Sequence, residues 1–299
     1  MNRYAYWLGA LMVLVSAFCF ALKGIFIKMA YEYGIDTISL LTLRMGFSAP
    51  IYAVVAASWA AKNPDAKFTK PQWWWVAGLG IWGYYVSSYL NFLGFHYITA
   101  GLERVLLFTY PTFVLIINAV VRKKSVTRLQ VGALALTYAG ILVAFFENLD
   151  TGQNQNVGLG ALWVILSGLT YAFFLVGSEK TLGQIDTQKF TSYAMLSATV
   201  ATLVHCFLQN GLRIWHYPAR VYWIALGMAI FSTAIPTFLL AAGIKRVGAS
   251  NTSIINSIGP IFTIFLATTA LGEYISWLQI FGTLLVLFGV FLIGWKGKK

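Results

Sequence analysis

The sequence predicts an all-α membrane protein of about ten transmembrane helices, arranged as two inverted five-helix repeats with both termini in the cytoplasm. Three observations predict it: an apolar composition, a one-sided distribution of basic loop residues, and an internal repeat. Of 299 residues, 59% are hydrophobic and 10% charged, whereas soluble domains carry roughly a quarter charged residues. The mean hydropathy is +0.73, and no water-soluble fold of this size hides that much apolar surface. A span needs about 20 apolar residues, so about ten spans fill the chain and no soluble catalytic domain fits. The net charge of +12 lies mainly in short loops, where it is a topology signal. The lipid bilayer is the expected partner, and no nucleic acid is expected.

Apolar runs occur near residues 7–29, 38–59, 73–95, 100–121, 129–146, 159–178, 190–209, 220–243, 249–271 and 277–295. The first follows only Arg3 and lacks a small-residue cleavage site, so it is read as a retained span. Numbering the loops alternately puts Arg3, Lys62, Lys67, Lys70, Arg122, Lys123, Lys124, Arg128, Lys180, Lys189, Lys245, Arg246 and the lysines at 296, 298 and 299 on one side. The other side has Arg213 and Arg220 beside Glu32, Asp36, Glu147, Asp150 and Glu273. The positive side is cytoplasmic, which requires an even number of spans. Trp73, Trp74, Trp75, Trp277 and Trp295 stand at span ends, where amphipathic rings are favoured. Cys19 and Cys206 lie inside apolar runs and are read as small apolar residues.

The halves, residues 1–148 and 149–299, match at a spacing of 149 to 151 residues. Ala100, Pro111, Leu129-Gln130 and Gly140 meet Ala249, Pro260, Leu278-Gln279 and Gly289. Leu8-Gly9-Ala10-Leu11, Ser16 and Ala21 meet Leu159-Gly160-Ala161-Leu162, Ser167 and Ala172. Five spans per repeat is odd, so the second copy enters from the opposite side. Secondary transporters use this plan and hold substrate between the halves near the midplane.

The stretches at 97–111 (YITAGLERVLLFTYP) and 246–260 (RVGASNTSIINSIGP), with Leu271-Gly272-Glu273 closing the second copy, resemble the drug/metabolite transporter superfamily in its EamA-type ten-helix branch. The first copy departs from the pattern, carrying Arg122-Lys123-Lys124 where the second has Leu271-Gly272-Glu273. The resemblance covers nearly the whole chain. It implies a carrier that exports or exchanges amino acids, other metabolites or drugs without ATP, and the chain has no P-loop pattern.

Charges within spans are costly and mark functional positions. At 1.5 Å per residue, Lys23 lies roughly 24 Å beyond Trp7 and Arg44 roughly 9 Å below the outer face, so they share one layer. Lys28, Glu103 and Arg104 join them there. Lys28 is expected to snorkel to the interface, and Lys23 is the leading ligand-facing charge. Arg44 either meets substrate or pairs with Glu103. Such cations would attract a substrate carboxylate or phosphate. Glu103 is the candidate for proton coupling, although neighbouring cations oppose its protonation.

Pro111, Pro236 and Pro260 fall inside spans and are read as kinks and hinges. Thr109, Thr233 and Asn256 near them are read as cavity walls. Tyr85 and Tyr89, in one stripe with Trp82, and Trp163, Ser167 and Tyr171 in the sixth span, are further substrate-binding candidates, able to stack on a planar group. No metal-ligand spacing, cofactor motif or catalytic constellation stands out, so the chain is not expected to be an enzyme. The expected protein is a secondary active carrier in a bacterial inner membrane. It exports or exchanges a small metabolite, with an amino acid or other carboxylate-bearing compound favoured. A multidrug or cationic-aromatic efflux carrier is the alternative, and a channel or membrane-embedded enzyme is disfavoured.

Overall fold

The apolar runs become helices whose ends are set by caps and prolines. The computed structural model describes residues 3–66, 68–123, 127–150, 156–182, 184–211, 213–247, 255 and 258–295. In order these form α1 (Arg3–Tyr31), α2 (Thr37–Lys62), α3 (Lys70–Gly80), α4 (Ser87–Gly94), α5 (Ala100–Leu107), α6 (Tyr110–Arg122) and α7 (Arg128–Asp150). There follow α8 (Val157–Leu182), α9 (Thr187–Asn210), α10 (Ala219–Ala229), α11 (Ile235–Val247), α12 (Gly259–Leu271) and α13 (Trp277–Trp295). π-Helical turns join α3 to α4 (Ile81–Val86) and α10 to α11 (Ile230–Ala234). The chain is an all-helical, multi-pass membrane protein. Among the described residues seven helical runs are long and apolar enough to cross a bilayer. The apolar helices Gly259–Leu271 and Trp277–Leu292 are shorter, and the hydroxyl-rich α3–α4 run is not among the seven.

Local chemistry explains the boundaries. Asp36 caps α2 by accepting from Ser39 N (3.0 Å), Thr69 and Gln72 form a capping box at α3, and Gly272 at φ +66° ends α12. Pro111 and Pro260 are not kinks within helices. Each stands in the first turn of a new helix, α6 or α12, where a missing N–H costs nothing. Because a proline ring clashes with the carbonyl four residues back, α5 stops at Leu107 and the fourth span is broken at Phe108 and Thr109. Pro236 does lie inside a continuous helical run, directly after the second π-helical turn.

The packing interleaves the two ends of the sequence. Helix α1 lies against α11 and α12, while α8 lies against α4 and α6; α2 packs on α9, and α7 on α13. Glycines set the closest approaches. A Cβ on Gly94 would stand 3.1 Å from the Gly160 carbonyl and 2.6 Å from Val164 Cγ2; one on Gly243 would stand 3.3 Å from the Gly9 carbonyl and strike Val13 Cγ2. Ser16 Oγ donates to the Pro236 carbonyl and Ser167 Oγ to the Ser87 carbonyl, both at 2.8 Å. Lys189, one of the loop lysines by sequence, is buried instead: its ammonium donates to the Ala66 carbonyl (2.5 Å) and lies 3.8 Å from the Phe68 ring centroid. That ties α9 to the turn before α3 through a cation–π contact.

Candidate functional site

Halfway along the helices the bundle encloses a cavity of about 230 Å³. Both π-helical turns contribute to its wall, through Gly83 and Tyr84 on one and Ser232 and Thr233 on the other. A π-turn adds a residue per turn, and such turns recur at functional sites.

One wall is cationic. Lys23 of α1, Arg44 of α2 and Arg104 of α5 all line the cavity, with Asn91 of α4 between them. Lys23 Nζ donates to Asn91 Oδ1 (2.8 Å) and lies 3.7 Å from Glu103 Oε1, which also accepts from Asn91 Nδ2 (2.6 Å). Glu103 itself is buried behind this wall. Arg44 does not pair with Glu103. Its Nε donates to Thr233 Oγ1 (2.9 Å), its guanidinium carbon lies 5.4 Å from the Phe92 ring centroid, and Nη1 is buried with no hydrogen-bond partner among the described residues. Arg104 is half-buried, and its Nε is buried with no hydrogen-bond partner among the described residues. The Arg104 guanidinium presses on the start of α12 so closely that a Cβ on Gly259 would come within 2.5 Å of Nη2. The opposite wall is hydroxylic and aromatic: Ser167, Ser232, Thr233 and Thr237, with Phe20, Tyr84, Tyr110 and Tyr171.

Lys23, Arg44, Arg104, Ser167, Tyr171 and Thr233 therefore come together at one cavity. Tyr85 and Tyr89 do not reach it. Tyr85 Oη lies 2.7 Å from His205 Nδ1 and the Tyr89 ring packs edge-on to the same imidazole at 4.9 Å, so this stripe faces α9. The stripe that faces the cavity is Tyr84, Ser87, Ser88 and Asn91, rotated from the aromatic one by about 100°. Trp163 is half-buried one turn before Ser167 and is not part of the lining. Thr109 Oγ1 is buried without a described partner, and Asn256 lies outside the described residues. Lys28 is half-buried at the end of α1.

Asn91 and Phe20 are cavity residues that sequence reasoning did not single out. Asn91 is an amide in line with Tyr84 and Ser87, and Phe20 precedes Tyr171 by the same 151 residues that separate Ser16 from Ser167; both signals were legible.

At the end of the bundle where α1 meets α2, Glu273 accepts from Ala100 N (2.9 Å) and Gly101 N (3.3 Å), capping α5 from the α12–α13 turn. Nearby, Asp36 binds Tyr217 (2.8 Å) and Asn210 (3.2 Å). Burial raises the Asp36 pKa, but hydrogen bonds from Ser39, Tyr217 and Asn210 outweigh it and hold the carboxyl below its usual value.

The model of the EamA-like transporter family matches this chain twice, at residues 7–146 and 158–295. The chain belongs to that family. This EamA protein is 30% identical over 280 residues to the uncharacterized transporter YcbK of Bacillus subtilis, covering 92% of this chain and 88% of that one. It is 24% identical to an uncharacterized transporter of Synechocystis, covering 97% and 94%. A solved crystal structure shares its fold, with a TM-score of 0.65 at 13% identity over 98% of the EamA chain and 97% of the other. The protein is thus a membrane transporter.

Proposed function

We propose that this transporter is a secondary active carrier that exports or exchanges a small carboxylate-bearing metabolite, amino acids included, across a bacterial inner membrane by alternating access. In this reading its two halves, residues 1–148 and 149–299, are inverted copies with both termini cytoplasmic. The paired Gly94–Gly160 and Gly243–Gly9 approaches and the paired serine bonds to Ser87 and Pro236 support it, because each member of a pair is reproduced 149 to 151 residues away. The observation that carries the substrate reading is the convergence of Lys23, Arg44 and Arg104 on a mid-bundle cavity. Cations at reduced dielectric favour an anionic group and repel a cationic one. Tyr84, Tyr110 and Tyr171 also line the cavity, and aromatic walls of this kind are the feature a multidrug carrier would use to hold a planar moiety.

Proton coupling through Glu103 belongs to the same proposal, and Glu103→Gln is expected to abolish pH-driven transport. The decisive experiment is counterflow in proteoliposomes. Vesicles preloaded with an unlabelled carboxylate should transiently accumulate its labelled form above the outside concentration and saturate with concentration. Equilibration without accumulation would indicate a channel and sink the carrier reading.

A further inference from the structure

The cavity's charge balance narrows the substrate class. Three cationic side chains line it, and the one carboxylate at that wall among the described residues, Glu103, is engaged by Lys23 and Asn91. Lys23 and Glu103 compensate each other, which leaves two guanidinium groups. Neither Arg44 nor Arg104 has a carboxylate within ion-pair distance among the described residues, and each buries a nitrogen with no acceptor. An uncompensated buried charge is strongly unfavourable. Thr233 offers Arg44 only a hydroxyl dipole.

Resting on the carrier reading above, we propose that the cavity is built for a dianion, a dicarboxylate or a phosphate monoester, whose two negative charges meet Arg44 and Arg104. A zwitterionic amino acid fits less well, because its ammonium would need a carboxylate and Glu103 is already paired. Guanidinium forks match carboxylate and phosphate oxygens alike, so the shared chemistry is the double charge. Gly259 leaves the Arg104 guanidinium its place, since a side chain there would displace it.

The test uses the purified full-length protein and two matched pairs, each differing by one charge at nearly constant size. These are succinate against succinamate, and glycerol 3-phosphate against its methyl phosphodiester, with leucine and a quaternary ammonium compound as zwitterionic and cationic probes. Binding is read by calorimetric titration and thermal shift. In at least one pair the dianion is expected to bind about tenfold or more tightly than its partner, the worth of one charged hydrogen-bonded contact; which pair shows the gap names the chemistry. Arg104→Gln should shrink that gap to within about threefold, while Arg104→Lys, which keeps the charge, should retain most of it. Equal affinity within both pairs would overturn the dianion inference and leave the anion carrier standing. Binding of leucine or the ammonium compound alone would overturn both. Binding of none of the probes would overturn the dianion inference, with the carrier reading then resting on counterflow.

Discussion

Replacing Lys23 with methionine keeps its length and removes its charge, leaving Glu103 as a carboxylate 2% exposed with Asn91 as its remaining side-chain donor. Breaking a buried pair by deleting one partner costs about 3–5 kcal/mol, because the other charge is stranded. At roughly 2 °C per kcal/mol for a chain this long, Lys23→Met should lower the apparent melting temperature by roughly 6–10 °C. Glu103→Gln should cost less, about 1–3 kcal/mol, because Lys23 is 18% exposed and can turn toward the cavity. The double variant removes both charges and keeps an amide for Asn91 to bond. It should therefore be more stable than Lys23→Met alone, with a coupling energy of about 2 kcal/mol or more. The assay is thermal unfolding of the four detergent-purified proteins. A double variant destabilised by the sum of the two singles would refute the reasoning, since the two side chains would then act independently.

Three further outcomes follow from the geometry. Glu273→Ala should destabilise the protein by about 1 kcal/mol through loss of the α5 cap and its favourable dipole interaction, with Glu273→Gln intermediate, as measured by thermal shift. Gly140→Val places a side chain on the Gly282 carbonyl at the α7–α13 crossing, and the overpacking should cost about 1–3 kcal/mol; an unchanged melting temperature would mean the helices part freely. His96 stacks on Tyr31 at 3.9 Å with Nε2 2.9 Å from Thr37 Oγ1. Burial first and Lys28 second push its pKa below 6.5, against a smaller opposing pull from Asp36. The folded state thus prefers neutral imidazole. Its contribution to stability is complete above about pH 6.5 and is lost as pH falls from there through the folded value. Melting temperature should therefore decline more steeply between pH 7 and 5 in the wild type than in His96→Gln.

Much of this was legible in the sequence because a bilayer admits few solutions. Apolar runs of span length and charges inside them at Lys23, Arg44 and Glu103 are one-dimensional information, since a polar group committed to hydrocarbon is costly until some partner is found for it; the sequence read a kink at Pro111, and the structure has a break at Phe108 and Thr109 with Pro111 opening a new helix. Pairing is a different matter. Lys23 and Arg44 share a depth, so depth could not say which of them meets Glu103; the rotation of α1 and α2 about their axes gave Glu103 to Lys23 and Thr233 to Arg44. The third span shows the same limit. Its aromatic and polar stripes have equal helical periodicity, and only the packing of α4 on α8 and of the Ile81–Val86 turn on α9 brought Asn91 to the cavity and Tyr85 to His205.

The sequence by itself thus determined that the chain is a helical membrane protein with charged residues inside its apolar runs. The tertiary structure decided which of those charges compensate one another and which are left facing the cavity. The reason is physical: burial energy is set residue by residue, but electrostatic compensation depends on distances between side chains carried by helices far apart in the chain.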